Sequence, residues 1–414
     1  MKGNLKNIWY VFSGTFLFSI SGVLSLVLSN KTIGFDNNGE VLFAMSYVQL
    51  FCAIFNFQSF NSLIKYLPQS KSKQETNNFI LNAILLDLIS IALSMISAFY
   101  FLNFLSSIFE WNDELIKMIK IACISILFSI NGVFDGVLRH YSKFEYISSS
   151  LTITALIVIV LSFIGYLLDL DKVYFLFVLM STVISKFIID FYFFIKLIND
   201  CNLMRIKDIK FKFDKEFFKF NFYTNITSTI DIPVNQLSPF IITWFLGFHE
   251  LAVFKTLEKL GAIILKISNI LGQVFSPQVS RLVLKSPKDA IKFTINVGVV
   301  IFVFGILCIF LFSLNKNMII SFLFNGDNEL YYIIIFYLFL MLYTSSFCMQ
   351  HYLFIFLGYE KKAFKIALYS NFIYLIIIFP FIYVCGLWGV IISKYIQSSF
   401  VFISKMVYIK NEKN

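Results

Sequence analysis

Charge is scarce in this chain. Only 14% of its 414 residues are Asp, Glu, Lys or Arg, where a soluble domain carries about 25%. Histidine is rarer still, with three in total. The six cysteines (Cys52, Cys123, Cys201, Cys308, Cys348 and Cys385) are scattered, with no Cys-x-x-Cys and no histidine at metal-ligand spacing. A disulfide framework and a zinc site are therefore not expected, and neither a metal nor a cofactor is assigned. Walker A, G-x-S-x-G and H-E-x-x-H patterns are missing, as is a paired-carboxylate loop motif. No catalytic residue is nominated, and the chain is not expected to be an enzyme.

What is abundant is apolar surface. Hydrophobic residues make up 58% of the chain, and the mean hydropathy is +0.80. No soluble fold hides this much, so lipid must be the solvent for much of it. The 53 phenylalanines read as lipid-facing or core filler. The opening MKGNLKN runs into an apolar segment without a small-residue cleavage site, so that segment reads as a retained first span.

A crossing needs ~20 apolar residues. Twelve such segments are expected, near 8–29, 41–63, 79–105, 117–138, 146–168, 173–197, 218–246, 250–275, 291–314, 330–356, 363–385 and 387–409. Basic residues orient them. With a cytoplasmic N-terminus, only Lys31, Lys117, Lys120, Lys172 and Lys316 face outward, and Lys186, Lys255, Lys259, Lys266 and Lys394 lie inside spans. All other Lys and Arg fall on the inner side, so both termini are expected to be cytoplasmic. The net charge of +10 is then a topology signal, and no nucleic-acid partner is expected.

The longest polar stretch divides the chain in the middle. The expected organisation is an N-terminal six-helix lobe (1–199), a cytoplasmic linker (200–216) and a C-terminal six-helix lobe (217–414), with the two lobes in the same orientation. A weak internal repeat accompanies this division. Gly136 precedes Arg139 by three after the fourth span, and Gly358 precedes Lys361 by three after the tenth.

Ionisable and amide side chains inside spans are costly, and they carry the functional reading. In the eighth span Lys255, Lys259, Lys266, Asn269 and Gln273 share an arc of roughly 80° at 100° per residue. Lys266 lies roughly 15 Å from the inner end at 1.5 Å per residue, too deep for a lysine stem to reach the interface. In the seventh span Asn221, Thr224, Ser228, Asp231, Asn235 and Ser238 share a face of about 100°, and Pro233 and Pro239 interrupt the helix. Broken polar helices recur at transporter binding sites. Asn225, Ser228, Asp231, Asn235 and Lys394 therefore join the lysine stripe as expected substrate contacts. Asp87, Asp190 and Asp231 are the candidates for ion coupling. Asp190 lies four residues from Lys186 and Asp135 four from Arg139, spacings that suit structural pairs, whereas Asp87 has no partner nearby in sequence.

Three stretches carry a family resemblance: FNFQSFNSLIKYLPQS (55–70), FDGVLRHYSKFEYIS (134–148), and 231–282 with Gly247, Glu250, Phe254 and Pro277. Together they resemble bacterial polysaccharide transporters of the O-antigen flippase type. These belong to a superfamily that also holds multidrug and toxin extruders and peptidoglycan lipid flippases. Phe254 stands where that family usually has Tyr, and Ala252 where it has another small residue.

The resemblance implies an all-α integral membrane fold of about twelve transmembrane helices in two six-helix lobes around a central cavity. It implies a flippase that moves an undecaprenyl-pyrophosphate-linked oligosaccharide from the inner to the outer leaflet of the bacterial inner membrane, by alternating access with proton or sodium coupling. A polysaccharide polymerase is the expected protein partner, membrane lipid the surroundings, and a monomer the expected state. The residue types fit such a substrate: cations neutralise phosphate, and Asn, Gln, Ser and Thr replace water on sugar hydroxyls. The alternatives are a cation-coupled multidrug exporter of the same fold, whose cavity should be acidic or aromatic, and a membrane polysaccharide polymerase, whose activity would sit in outer loops near Glu110, Asp113 and Asp327.

Overall fold

The computed structural model describes residues 2–204, 211–324 and 326–411, with the side chains of residues 2–8, 269, 273, 274, 277, 410 and 411 outside that description. Among the described residues every regular element is helical. This is the outcome that hydrocarbon imposes, because only helices and closed barrels satisfy their own backbone groups there. The helices are α1 (Lys2–Phe55), α2 (Ser59–Tyr66), α3 (Lys73–Ile108), α4 (Asp113–Cys123), α5 (Ile126–Ser129), α6 (Gly132–His140), α7 (Phe144–Leu167), α8 (Lys172–Asp200), α9 (Lys215–Thr229), α10 (Ser238–Leu246), α11 (Phe248–Lys285), α12 (Pro287–Ser313), α13 (Lys316–Leu323), α14 (Leu330–Ser346), α15 (Cys348–Phe356), α16 (Glu360–Cys385) and α17 (Leu387–Asn411).

All twelve expected segments fall on helices, but not all as single unbroken ones. Eight helical segments among the described residues are long and apolar enough to cross a bilayer, or nine if the pair α4 and α5–α6, bent by 40°, is one span. The first of the eight covers Trp9–Gln69 and contains both of the first two expected spans. They are separated by Gly34, whose φ of 76° only glycine adopts without strain. The seventh expected span is α9, a π-helical turn at Pro233–Leu237, and α10. Pro233 has no N–H to give and its ring crowds the preceding turn, so the α-helical ladder breaks there. The bilayer explains surface that water would not tolerate: α12 exposes Val300 at 67% and Phe304 at 66%.

Helix starts are written into the loops. Asn112 Oδ1 accepts from Leu115 N–H (2.7 Å), Asp171 Oδ1 from Tyr174 N–H (3.0 Å) and Asp214 Oδ1 from Phe217 N–H (3.0 Å), opening α4, α8 and α9. Ser286 Oγ caps α12 with Pro287 at its first position.

The described residues form two compact units, one of 1–33 with 37–232 and one of 34–36 with 233–414. The first is built on Leu63, Val137, Leu197 and Phe217, the second on Val279, Met349, Leu353 and Phe354. The division falls at 232/233, not at the expected 216/217. Asparagines of α3 hold the chain that leads into α9: Asn77 Oδ1 accepts from Met204 N–H (3.0 Å), Asn78 Oδ1 from Lys212 N–H (2.8 Å) and Asn82 Oδ1 from Asp214 N–H (3.2 Å). Phe217 is fully buried in the core of the first unit. Of the expected linker 200–216, residues 205–210 lie outside the described residues, and 211–216 lead into α9, a helix of the first unit.

The expected repeat is displaced in register. Gly136 sits inside α6 against Leu63. The position equivalent to Gly358 is Ser142, which also has positive φ (56° against 83°). The turns after α6 and α15 share one bond pattern, Lys143 N–H to Leu138 O (2.9 Å) and Tyr359 N–H to Phe354 O (3.2 Å). The same closure ends α8 through Leu203 N–H and Ile198 O (2.9 Å), so it is a general helix-ending motif and not evidence of duplication.

In the second unit α12 and α14 approach backbone to backbone at Gly298, where an added Cβ would stand 2.5 Å from Ser346 O. Gly298→Val is expected to cost about 1–3 kcal/mol through overpacking, read as a lower thermal midpoint of the purified protein in detergent. An unchanged midpoint would contradict this contact.

Candidate functional site

The second unit gathers the lysines. Lys255 lies on α11, and Glu258 is one turn along the same face. Lys255 Nζ stands 3.0 Å from Glu258 Oε2, and Lys394 Nζ, from α17, stands 3.1 Å from Glu258 Oε1. One carboxylate thus ties two helices together through both of its oxygens. Lys394 is 7% exposed and lies 4.6 Å above the Phe254 ring, a cation–π contact that makes burying its charge less costly. Beside this cluster Tyr374 and Ser238 share a hydrogen bond of 2.8 Å, and Phe254 packs edge-on against Tyr337.

Lys259, one turn further along α11, is exposed, and among the described residues no carboxylate lies within 4 Å of it. Lys266 is half-buried further along the same helix, and Asn235 is exposed in the π-helical turn. The side chains of Asn269 and Gln273 lie outside the described residues. Among the described residues the unit thus gathers Lys255, Lys259, Lys266 and Lys394, with Glu258 paired to the first and last of them.

The other expected residues belong to the first unit, and there the structure gives most of them local work. Asn225 is buried and donates to Ile54 O (3.0 Å) and Asn56 O (2.8 Å), taking up carbonyls left free where α1 ends. This engages the amide that had been expected to meet substrate. Ser228 Oγ donates back to Thr224 O and Asn225 O, both at 3.0 Å. Asp231 is exposed. Asp87, without a partner near it in sequence, has one in space: its Oδ2 accepts from Val133 N–H (3.1 Å), where the chain resumes as α6 after the break at 130–131.

Asp190 is 1% exposed and pairs with Lys186, and Asn131 Nδ2 donates to it at 3.4 Å. Lys186 also lies 3.9 Å from Asp135. Asp135 thus meets Lys186 and not the expected Arg139, which lies over the Phe60 ring at 5.2 Å. Besides the partners of Asp87 and Asp135, two more partnerships were not legible in the sequence. Lys394 with Glu258 was signalled only by equal depth, each lysine of the cluster lying seven residues into its helix. Asn131 was signalled only by the Asn-Gly step that interrupts a span. Among the described residues no group of three His, Cys, Asp or Glu is placed to hold a metal.

The long apolar helices make the chain a polytopic membrane protein. Residues 4–283 match the polysaccharide biosynthesis protein family, and the chain belongs to that family. Three solved structures share the fold. One is an inward-facing multidrug resistance MATE family transporter of the MOP superfamily (TM-score 0.71, 14% identity, 98% of this chain and 95% of that one). Another is the lipid II flippase MurJ in an inward closed conformation (0.67, 17%, 96% and 87%). The third is a MOP superfamily transporter from Pyrococcus furiosus, described as having a binding pocket of reverse polarity (0.68, 15%, 100% and 96%). No curated protein matches the chain in sequence.

The acid–base pair in the first unit reads as structural, and double substitution tests it. Asp190→Leu is expected to cost about 3 kcal/mol, the low end of the range for a broken buried pair, because Lys186 loses its nearer carboxylate and keeps only Asp135 at 3.9 Å. Adding Lys186→Met should recover most of that loss. Thermal midpoints of the single and double variants check it, and a double variant no more stable than the single would count against the pairing.

Proposed function

We propose that the chain is a flippase that carries a lipid-linked oligosaccharide with a diphosphate linkage, of the undecaprenyl type, from the cytoplasmic to the outer leaflet of a bacterial inner membrane. The observation that carries this reading is the excess of lysine over carboxylate inside the second unit, with Lys259 beside the Lys255–Glu258–Lys394 cluster. A lysine without a counter-ion in a spanning helix is costly unless its function is to meet an anion. The family is one of polysaccharide biosynthesis, and the usual anion on a lipid-borne saccharide is its phosphate linkage.

In this reading Lys259 and Lys266 receive the phosphates, and Asn235, exposed in the π-helical turn of the same unit, meets sugar hydroxyls. The lipid tail stays in the bilayer while the lobes alternate, with both termini cytoplasmic. A proton or sodium gradient drives the cycle with Asp231, exposed in the structure, as the carboxylate candidate for coupling, and the protein acts as a monomer that hands its product to a polymerase. A multidrug exporter of the same fold is disfavoured by the sign of the cluster, since cationic drugs call for acidic or aromatic walls.

Deleting the gene in its host is expected to abolish surface polysaccharide and to accumulate complete repeat units on lipid at the inner leaflet. Wild type and Lys259→Arg restore export, whereas Lys259→Ala at equal protein level lowers it by roughly tenfold or more, the scale of one lost charge-assisted contact. If single units reach the outer face without polymerising, or if only drug sensitivity changes, the reading is wrong.

A further inference from the structure

We infer that Glu258 is a built-in displacing anion. It occupies Lys255 and Lys394 when no cargo phosphate does, and its return to them releases the cargo. This rests on the reading above, that an anionic cargo moves along α11.

The geometry sets an order of encounter. α11 begins at Phe248 and α17 at Leu387, so Lys255 and Lys394 each lie about 10 Å into their helices, at 1.5 Å per residue. Both helices start at the outer face in the expected topology. Lys259 is one turn deeper and Lys266 about three turns deeper. A phosphate entering from the cytoplasmic side therefore meets Lys266, then Lys259, and last the Lys255–Lys394 pair. At that last station a carboxylate is already seated, 3.0 and 3.1 Å from the two ammonium groups.

A row of lysines with no competitor would hold a diphosphate too firmly to let it go. Transport needs binding that is favourable on entry and weak on exit. Glu258 supplies the weakening locally. To seat on Lys255 and Lys394, a phosphate must break two contacts and leave Glu258 without its cations, a cost that lowers the affinity of this station. The carboxylate is tethered between its partners, so it competes at high effective concentration and needs no diffusion to return. Once the outer side opens, water solvates the departing phosphate and the tethered carboxylate takes back both lysines. The other groups around Glu258, the Phe254 ring and the Tyr337 and Tyr374 side chains, carry no charge that would replace it.

The test uses the full-length protein in nanodiscs of neutral phosphatidylcholine, titrated with farnesyl diphosphate as the probe. Glu258→Gln is expected to bind the probe about tenfold more tightly than wild type and to release it about tenfold more slowly. Glu258→Asp, too short to reach both lysines, should gain less, about threefold. If Glu258→Gln fails to fold, Glu258→Asp decides alone. Affinity equal to or below that of wild type in the variant that folds overturns the inference while leaving the anion site standing. If wild type itself binds no diphosphate, the proposed substrate fails, and this inference fails with it.

Discussion

The contact on which the second unit's chemistry depends is the double ion pair at Glu258. In hydrocarbon an isolated charge is expensive, and a pair repays its desolvation only when geometry and further contacts are good. Here one carboxylate uses each oxygen for a different lysine, and the second lysine rests on an aromatic face. The arrangement lets α11 and α17 carry charge at membrane depth and still pack. It also leaves a net positive balance, because two lysines share one acid and Lys259 sits beside them. The same contact is therefore a structural tie and the basis of the anion site proposed above.

The first unit solves a different problem with the opposite residues. Its spans are interrupted, and each interruption frees backbone groups that have no water to turn to. Asn225 takes the carbonyls of Ile54 and Asn56, and Asp87 takes the amide of Val133. Asp190, Lys186 and Asp135 neutralise one another beside the same break, with Asn131 joining at its edge. Polar residues that look functional in a list of intramembrane charges thus include several that hold broken helices together.

This contrast explains what could be read from the sequence. The apolar segments follow from hydropathy, a local property, and all fall on helices, eight of them long and apolar enough to cross a bilayer; the stripe follows from a 3.6-residue period, and its Lys255, Lys259 and Lys266 lie along α11. Asn225 could not be sorted from Ser228 or Asn235 by period alone, because its partners are some 170 positions away in sequence. The unit boundary was set at the most polar stretch, but the asparagines of α3 bind the chain on the far side of that stretch, and side-chain-to-backbone bonds of this kind have no periodic signature. Lys394 shows the intermediate case. Its presence in a span marked it as functional, but its carboxylate partner lay on another helix and could be found only by packing.

The two units consequently differ in what they leave unsatisfied. In the first, the buried acids Asp87 and Asp190 each have a donor in hand, so their charge is largely spent on the fold. In the second, bases outnumber acids, and the surplus lies along one helix face instead of being scattered. Lys259 is exposed and takes part in no ion pair among the described residues, so pairing within the fold does not account for its charge. That is why the positive face of α11, more than the number of spans or the acids of the first unit, points to an anionic cargo.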